Sequence, residues 1–136
     1  MNAAVVAYAL AAAGYAGFQL TVRLVVYPQF ARVPAAASAQ FEQAHQRLVT
    51  PLVGLLFGAL ALTCGGLLLA GPRVEGVVAA VLFGAILAVT AFGAVPAHGV
   101  LSRGFDAGTH RRLLRWDTLR VVLALGQLLL GGLTLT

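Results

Sequence analysis

Apolar residues dominate four stretches of the chain, about Ala3 to Val26, Leu52 to Ala70, Gly76 to Ala97 and Thr118 to Leu135, and polar residues gather between them. Each stretch has the length of a membrane-spanning helix, which needs roughly 20 mostly apolar residues. The intervals are two polar connections, residues 27–51 and 98–117, and a tight turn around Gly71-Pro72-Arg73. Hydrocarbon offers no partner to a backbone N–H or C=O, so runs of this length cross as helices. The pattern predicts an all-α integral membrane protein, one domain over residues 1–136 folded as a four-transmembrane-helix bundle. Nothing is left over for a soluble domain.

Polar residues inside the runs recur at helical spacing. On the first, Tyr8, Ala12, Tyr15, Gln19 and Arg23 share one face, which is expected to point into the bundle. Two readings stand for it: Arg23 snorkels to the headgroups while the tyrosines fill core space, or the face is a polar track to a pocket. Pro28 is expected to end this span, since it donates no backbone hydrogen bond and biases Tyr27 away from helix. The first connection should hold a short amphipathic helix, about Ala35 to Val49, with Phe41, His45 and Leu48 on its apolar stripe. Thr50-Pro51 then reads as the N-cap and first residue of the second span. Gly54-x-x-x-Gly58, and Ala80, Gly84 and Ala88, are small-residue faces that suit close packing within the bundle or a homo-oligomer. The third run ends at Val95-Pro96, with His98 at the depth of Tyr27 and Arg23. The fourth carries Asp117, Arg120, Ala124, Gln127 and Gly131 on one face. A charge at mid-bilayer costs roughly 2.5–3.5 kcal/mol, less near the interface, so Asp117 and Arg120 should face each other or a cavity.

Composition agrees with the pattern: hydrophobic residues make up 60% and charged residues 10% of the 136. The net charge of +5 does not point to nucleic acid, because the basic residues sit at helix ends. Arg32 and Arg47 lie in the first connection and Arg103, Arg111, Arg112 and Arg115 in the second, against Arg73 alone on the opposite side. The positive-inside rule then places both connections in the cytoplasm and both termini outside, in the plasma (inner) membrane. The single Cys64 lies mid-span and excludes a disulfide framework. The first run has no basic flank and is too long for a signal peptide, so it reads as an uncleaved helix.

Candidate chemistry is confined to a few residues near one membrane face. Glu42-x-x-His45 places a carboxylate and an imidazole side by side, as in helical di-metal proteins, and Glu42, His45, His98, Asp106 and His110 are the candidate metal ligands. The carboxylates are too few for a full di-iron set, and no C-x-x-C-H haem motif is present. Residues 41–48 resemble residues 105–113 with one insertion, and each segment comes after a span ending in proline. That likeness suggests parallel repeats, which would bring both acid/histidine pairs to the same mouth.

The first helix ending Val26-Tyr27-Pro28, the third ending Val95-Pro96-x-His98 with Leu101 after it, and Asp117-x-x-Arg120 opening the fourth make a pattern that resembles the anthrone-oxygenase-like family of small four-helix membrane proteins. The likeness covers nearly the whole chain. It implies oxygenation of an activated phenolic or anthrone-type carbon by dioxygen, with no evident cofactor motif. Such chemistry requires a base and a cation or donor to hold the oxyanion. His98 and Arg120 suit these roles, with Asp117 orienting or pairing, His45 as a second base, and Arg23, Tyr27, Gln19 and Gln127 as substrate-pocket candidates. The partners implied are the lipid bilayer and a hydrophobic small molecule. Two other classes stay open: a metal- or haem-binding membrane protein using the histidines, and a non-enzymatic binding or assembly subunit.

Overall fold

The computed structural model describes residues 2–136. It contains four helices long and apolar enough to cross a bilayer: α1 (Ala3–Phe30), α2 (Ala35–Ala70), α3 (Arg73–Leu101) and α4 (Ala107–Thr134). α1 packs on α2 and α4, and α3 packs on the same two, so the helices stand in a square. The chain is a four-helix transmembrane bundle. Its surface is apolar in the manner of a lipid-facing protein: Leu48, Leu62, Leu69 and Phe92 each expose more than three quarters of their area (78%, 79%, 91% and 81%). Tyr8, Tyr15, Gln19, Asp117 and Gln127, by contrast, are fully buried. This inversion has its cause in the solvent. Lipid tails are as apolar as leucine, so polar side chains gain most by meeting one another inside.

The helices run through all three prolines expected to bound them. α1 continues past Pro28 to Phe30 and α3 past Pro96 to Leu101, and each does so by the same device, a π-turn at Val22–Val26 and another at Thr90–Ala94. The wider turn gives room where the proline ring would strike the preceding carbonyls. In both, the residue before proline donates its N–H five residues back, Tyr27 to the Val22 carbonyl and Val95 to that of Thr90. The extra residue also rotates the next turn of the helix. Tyr27, rather than Val26, succeeds Val22 on the buried face.

Pro51 lies inside α2, a single 36-residue helix. The amphipathic segment expected over 35–49 is therefore the first part of a spanning helix, with no break at Thr50-Pro51. The Thr50 hydroxyl donates instead to the Gln46 carbonyl at 2.6 Å. The polar connections shrink to residues 31–34 and 102–106. Each connection's neighbourhood is tied to the other's: Gln43 Nε2 donates to the Ser102 carbonyl at 3.0 Å, and the Phe105 N–H to Ser38 Oγ at 3.1 Å.

The turn between α2 and α3 falls where the sequence places it, with the Gly71 N–H donating to the Leu67 carbonyl at 2.9 Å. The close approaches do not fall where expected. A methyl on Gly54, Gly58 or Gly84 would meet nothing within 4 Å, so contact within the bundle does not account for those small residues. Close packing occurs at Gly76, Gly93 and Gly131; a methyl on Gly93 would overlap the Trp116 ring.

A candidate site at the junction of four helices

One chain of hydrogen bonds links side chains from all four helices near the polar end of the bundle. Tyr15 Oη donates to Gln19 Oε1 at 3.2 Å, and Gln19 Nε2 donates to Asp117 Oδ1 at 2.6 Å. Arg120 Nη2 donates to the same Asp117 oxygen and also to Tyr27 Oη at 3.1 Å. Tyr27 Oη lies 2.9 Å from His98 Nε2, and His98 Nδ1 lies 2.6 Å from Glu42 Oε1. Gln46 Nε2 completes the chain, donating to Glu42 Oε1 at 3.0 Å and to the His98 carbonyl at 3.2 Å.

Donor rules order this chain. With Glu42 a carboxylate and His98 neutral, the proton belongs on Nδ1, which leaves Nε2 to accept from the Tyr27 hydroxyl. Arg120 has no lone pair to offer, so Tyr27 Oη receives from the guanidinium and gives to the imidazole. Carboxylate, imidazole and hydroxyl thus stand in the relation of a base-activated hydroxyl, with a cation set against the oxygen that loses the proton.

The residues are enclosed: Glu42 is 2% exposed, Tyr27 3%, Arg120 6% and Asp117 0%. Glu42 Oε2, Asp117 Oδ2, Arg120 Nε and His45 Nε2 are buried without a partner among the described residues. Buried polar atoms ordinarily find partners, so four orphans here mark a place for water or a ligand. A cavity of about 220 Å³ adjoins the chain, lined by Tyr27, Gln46, His98 and Arg120 and by apolar residues including Phe18, Val49, Val53 and Ala94. Thr50 and Val95 also line it; Val95 is exposed and Thr50 lies on the outer side of α2, so its mouth lies between α2 and α3 on the lipid-facing side.

The other candidates are dispersed. His45 sits beside the chain, its ring stacked on His98 at 5.7 Å and edge-on to Phe30 at 5.0 Å and Tyr27 at 5.9 Å. Gln19 stands behind Asp117, away from the cavity lining. Arg23 faces outward with Nε on Thr118 Oγ1 at 3.0 Å. Gln127 belongs to a second buried cluster, accepting from Tyr8 Oη and donating to the Ala79 carbonyl at 3.1 Å. His110 Nε2 bonds the Tyr27 carbonyl at 2.9 Å, one of the orphan carbonyls at the end of α1. Asp106 is the N-cap of α4, accepting from the Thr109 N–H at 2.6 Å. That bonding to Thr109 holds the Asp106 carboxyl below its ordinary range.

Glu42 and His45 therefore do not act as the side-by-side pair that E-x-x-H suggests, since Glu42 turns to His98 on α3. Among the described residues no group of three His, Cys, Asp or Glu side chains is arranged to share one metal ion. The partnership of Glu42 with His98 is the feature that sequence reasoning missed. The likeness between 41–48 and 105–113 did not signal it, since it matches Glu42 and His45 with Asp106 and His110 and leaves out His98.

No family model, curated protein or solved structure matches the chain.

Proposed function

We propose that the chain is a membrane-embedded oxygenase acting on a hydrophobic phenolic or anthrone-type substrate drawn from the bilayer. It sits in the plasma (inner) membrane with the site toward the cytoplasmic face and both termini outside, the orientation favoured by the arginines of the two connections. The observation that carries the reading is the Glu42–His98–Tyr27–Arg120 sequence of bonds beside a cavity whose mouth faces lipid. The cavity's walls suit an aromatic body, and its polar corner suits one acidic hydroxyl or activated C–H.

In this mechanism His98, held by Glu42, takes a proton from the substrate directly or through Tyr27. Arg120 faces the oxygen on which the negative charge collects, and Asp117 fixes the guanidinium from behind. The resulting enolate or phenolate is the electron-rich form that gives electrons to dioxygen. For an anthrone-type methylene, the carbon loses two hydrogens and gains a carbonyl oxygen, and the second oxygen atom leaves as water. His45 lies within ring contact of His98 and Tyr27 as a second proton acceptor.

Anthrone offered to the protein in proteoliposomes tests this reading. Oxygen uptake matched to quinone formation, lost in His98→Ala and in Arg120→Met, is the expected result; uptake equal to that of empty liposomes contradicts it.

A second reading, a metal- or haem-binding membrane protein using the histidines, draws support from the unpartnered His45 Nε2, although no three of the candidate ligands among the described residues are arranged to share one ion. The Arg120 guanidinium on Tyr27 opposes it, because it places a fixed positive charge where a cation would approach. Metal content and the absorption spectrum of the purified protein separate the two readings.

A further inference from the structure

A second cavity, of about 140 Å³, lies on the other side of α3, between α3 and α4. Its floor is the small-residue surface of α3 at Gly93, Pro96 and Ala97, and Trp116 and Arg112 of α4 border it. Gly93 has no side chain, which lets the Trp116 ring rest on the α3 backbone at the edge of this cavity. Arg112 and Trp116, one turn apart on α4, so give the cavity a cationic end and an aromatic wall.

Charge at this end of the bundle is unbalanced. Among the described residues the ion pairs are His98 with Glu42 and Arg120 with Asp117. Arg103, Arg111, Arg112 and Arg115 have no carboxylate within salt-bridge range; Asp106, hydrogen-bonded to the Thr109 N–H, offsets Arg111 and Arg112 only from a distance and is one acid against the four. Arg112 itself makes a long bond of 3.4 Å to Thr109 Oγ1, which leaves most of its donors unused. A fork of free guanidinium donors above an apolar slot, at the headgroup level where tryptophan also settles, matches a phosphate carried on an acyl chain.

We propose that the α3–α4 groove is a binding site for one anionic phospholipid, its phosphate on Arg112 and its acyl chain along Gly93, Ala97 and Val100 under Trp116. The site is independent of the Tyr27–His98 chamber and of any reaction there. Its occupant balances charge at the crowded arginine end and fills the slot between α3 and α4.

Trp116 is the chain's one tryptophan and reports on the site directly. The full chain is reconstituted in phosphatidylcholine vesicles containing equal mole fractions of acyl-brominated phosphatidylglycerol or acyl-brominated phosphatidylcholine, and quenching of Trp116 is compared. The expected result is a preference of about fivefold for the anionic lipid, the scale of one arginine near a charged surface. Arg112→Gln should abolish the preference and Arg112→Lys should retain part of it, while Arg111→Gln, off the groove, should leave it intact. Equal quenching by the two lipids overturns the proposal. A preference that survives Arg112→Gln, or falls equally in Arg111→Gln, also overturns it by assigning the effect to diffuse charge. Loss of the preference on adding inorganic phosphate names free phosphate as the ligand and contradicts a lipid site. Circular dichroism of each variant confirms the fold in which quenching is read.

Discussion

Tyr27 Oη meets His98 Nε2 at 2.9 Å across 71 residues of chain, and both side chains reach that point from helices carrying a π-turn ahead of a proline. Pro28 comes after its turn at the same offset as Pro96 after the other. The two prolines, expected to end helices, instead set the rotation that aims Tyr27 into the bundle and keeps His98 within α3. Removing Pro28 should therefore misdirect Tyr27. Pro28→Ala permits a regular helix that turns Val26 inward, and the phenolic site should be lost with little net change in stability, since the restored bond and helix propensity favour Ala while Arg120 and His98 lose the Tyr27 hydroxyl. Thermal melts alongside oxygen uptake check this.

Arg120→Ala strands Asp117, a carboxylate with 0% exposure, and breaking such a buried pair typically costs about 3–5 kcal/mol. The double variant Arg120→Ala with Asp117→Asn removes the stranded charge and should regain a large part of the loss. Melting temperatures in detergent measure both. A double variant no more stable than the single would contradict a buried ion pair.

His98→Ala should be milder. Glu42 keeps the Gln46 donor at 3.0 Å, and His98 lies beside a cavity rather than in a packed core. The expected loss is about 1–3 kcal/mol, the scale of one buried polar group losing its partner. If His98→Ala and Arg120→Ala destabilise sharply and equally, the cluster is a clasp between helices and the functional reading fails.

Gly93→Ala forces a methyl into the Trp116 ring, so α3 and α4 must separate or the indole must move. Overpacking of this kind costs about 1–3 kcal/mol. Gly54→Ala and Gly58→Ala, which meet nothing within 4 Å, should be neutral or slightly stabilising by comparison. The same melts decide between the three.

The bundle was legible because hydrophobic run length and the satisfaction of backbone polar groups admit few folds. Helix ends were less so. Prolines at 28, 51 and 96 read as boundaries on local chemistry, yet the helices run through all three, with a π-turn ahead of Pro28 and of Pro96. The Asp117–Arg120 stripe was readable from spacing alone, because charges in hydrocarbon must point inward. Glu42 was not, because its partner comes from a helix 56 residues away and Glu42-x-x-His45 offered a nearer one. Arg23 continues the polar stripe of α1 in sequence, but its Nε bonds Thr118 at the exposed side of α4 rather than the buried chain of Gln19, Asp117 and Tyr27.

Membrane orientation is open to labelling. Cysteines placed at Ala36 and Ala107, exposed at the ends nearest the two connections, should resist an impermeant thiol reagent in intact cells, while one at Pro72 should react. Cys64 is buried and stays silent.

Binding of a hydrophobic phenol as its anion at the Tyr27–His98–Arg120 corner is the step on which the proposed chemistry depends. A nitrophenol bearing an alkyl chain reports this directly, because its phenolate absorbs where the phenol does not. Added to proteoliposomes at a pH below the free phenol's own pKa, it should show the phenolate band with the unaltered protein. That band should be lost with Arg120→Met and strongly reduced with Tyr27→Phe, which keeps the ring and removes the bridging hydroxyl. No phenolate band with the unaltered protein, or the same band in all three, would contradict an anion-binding corner.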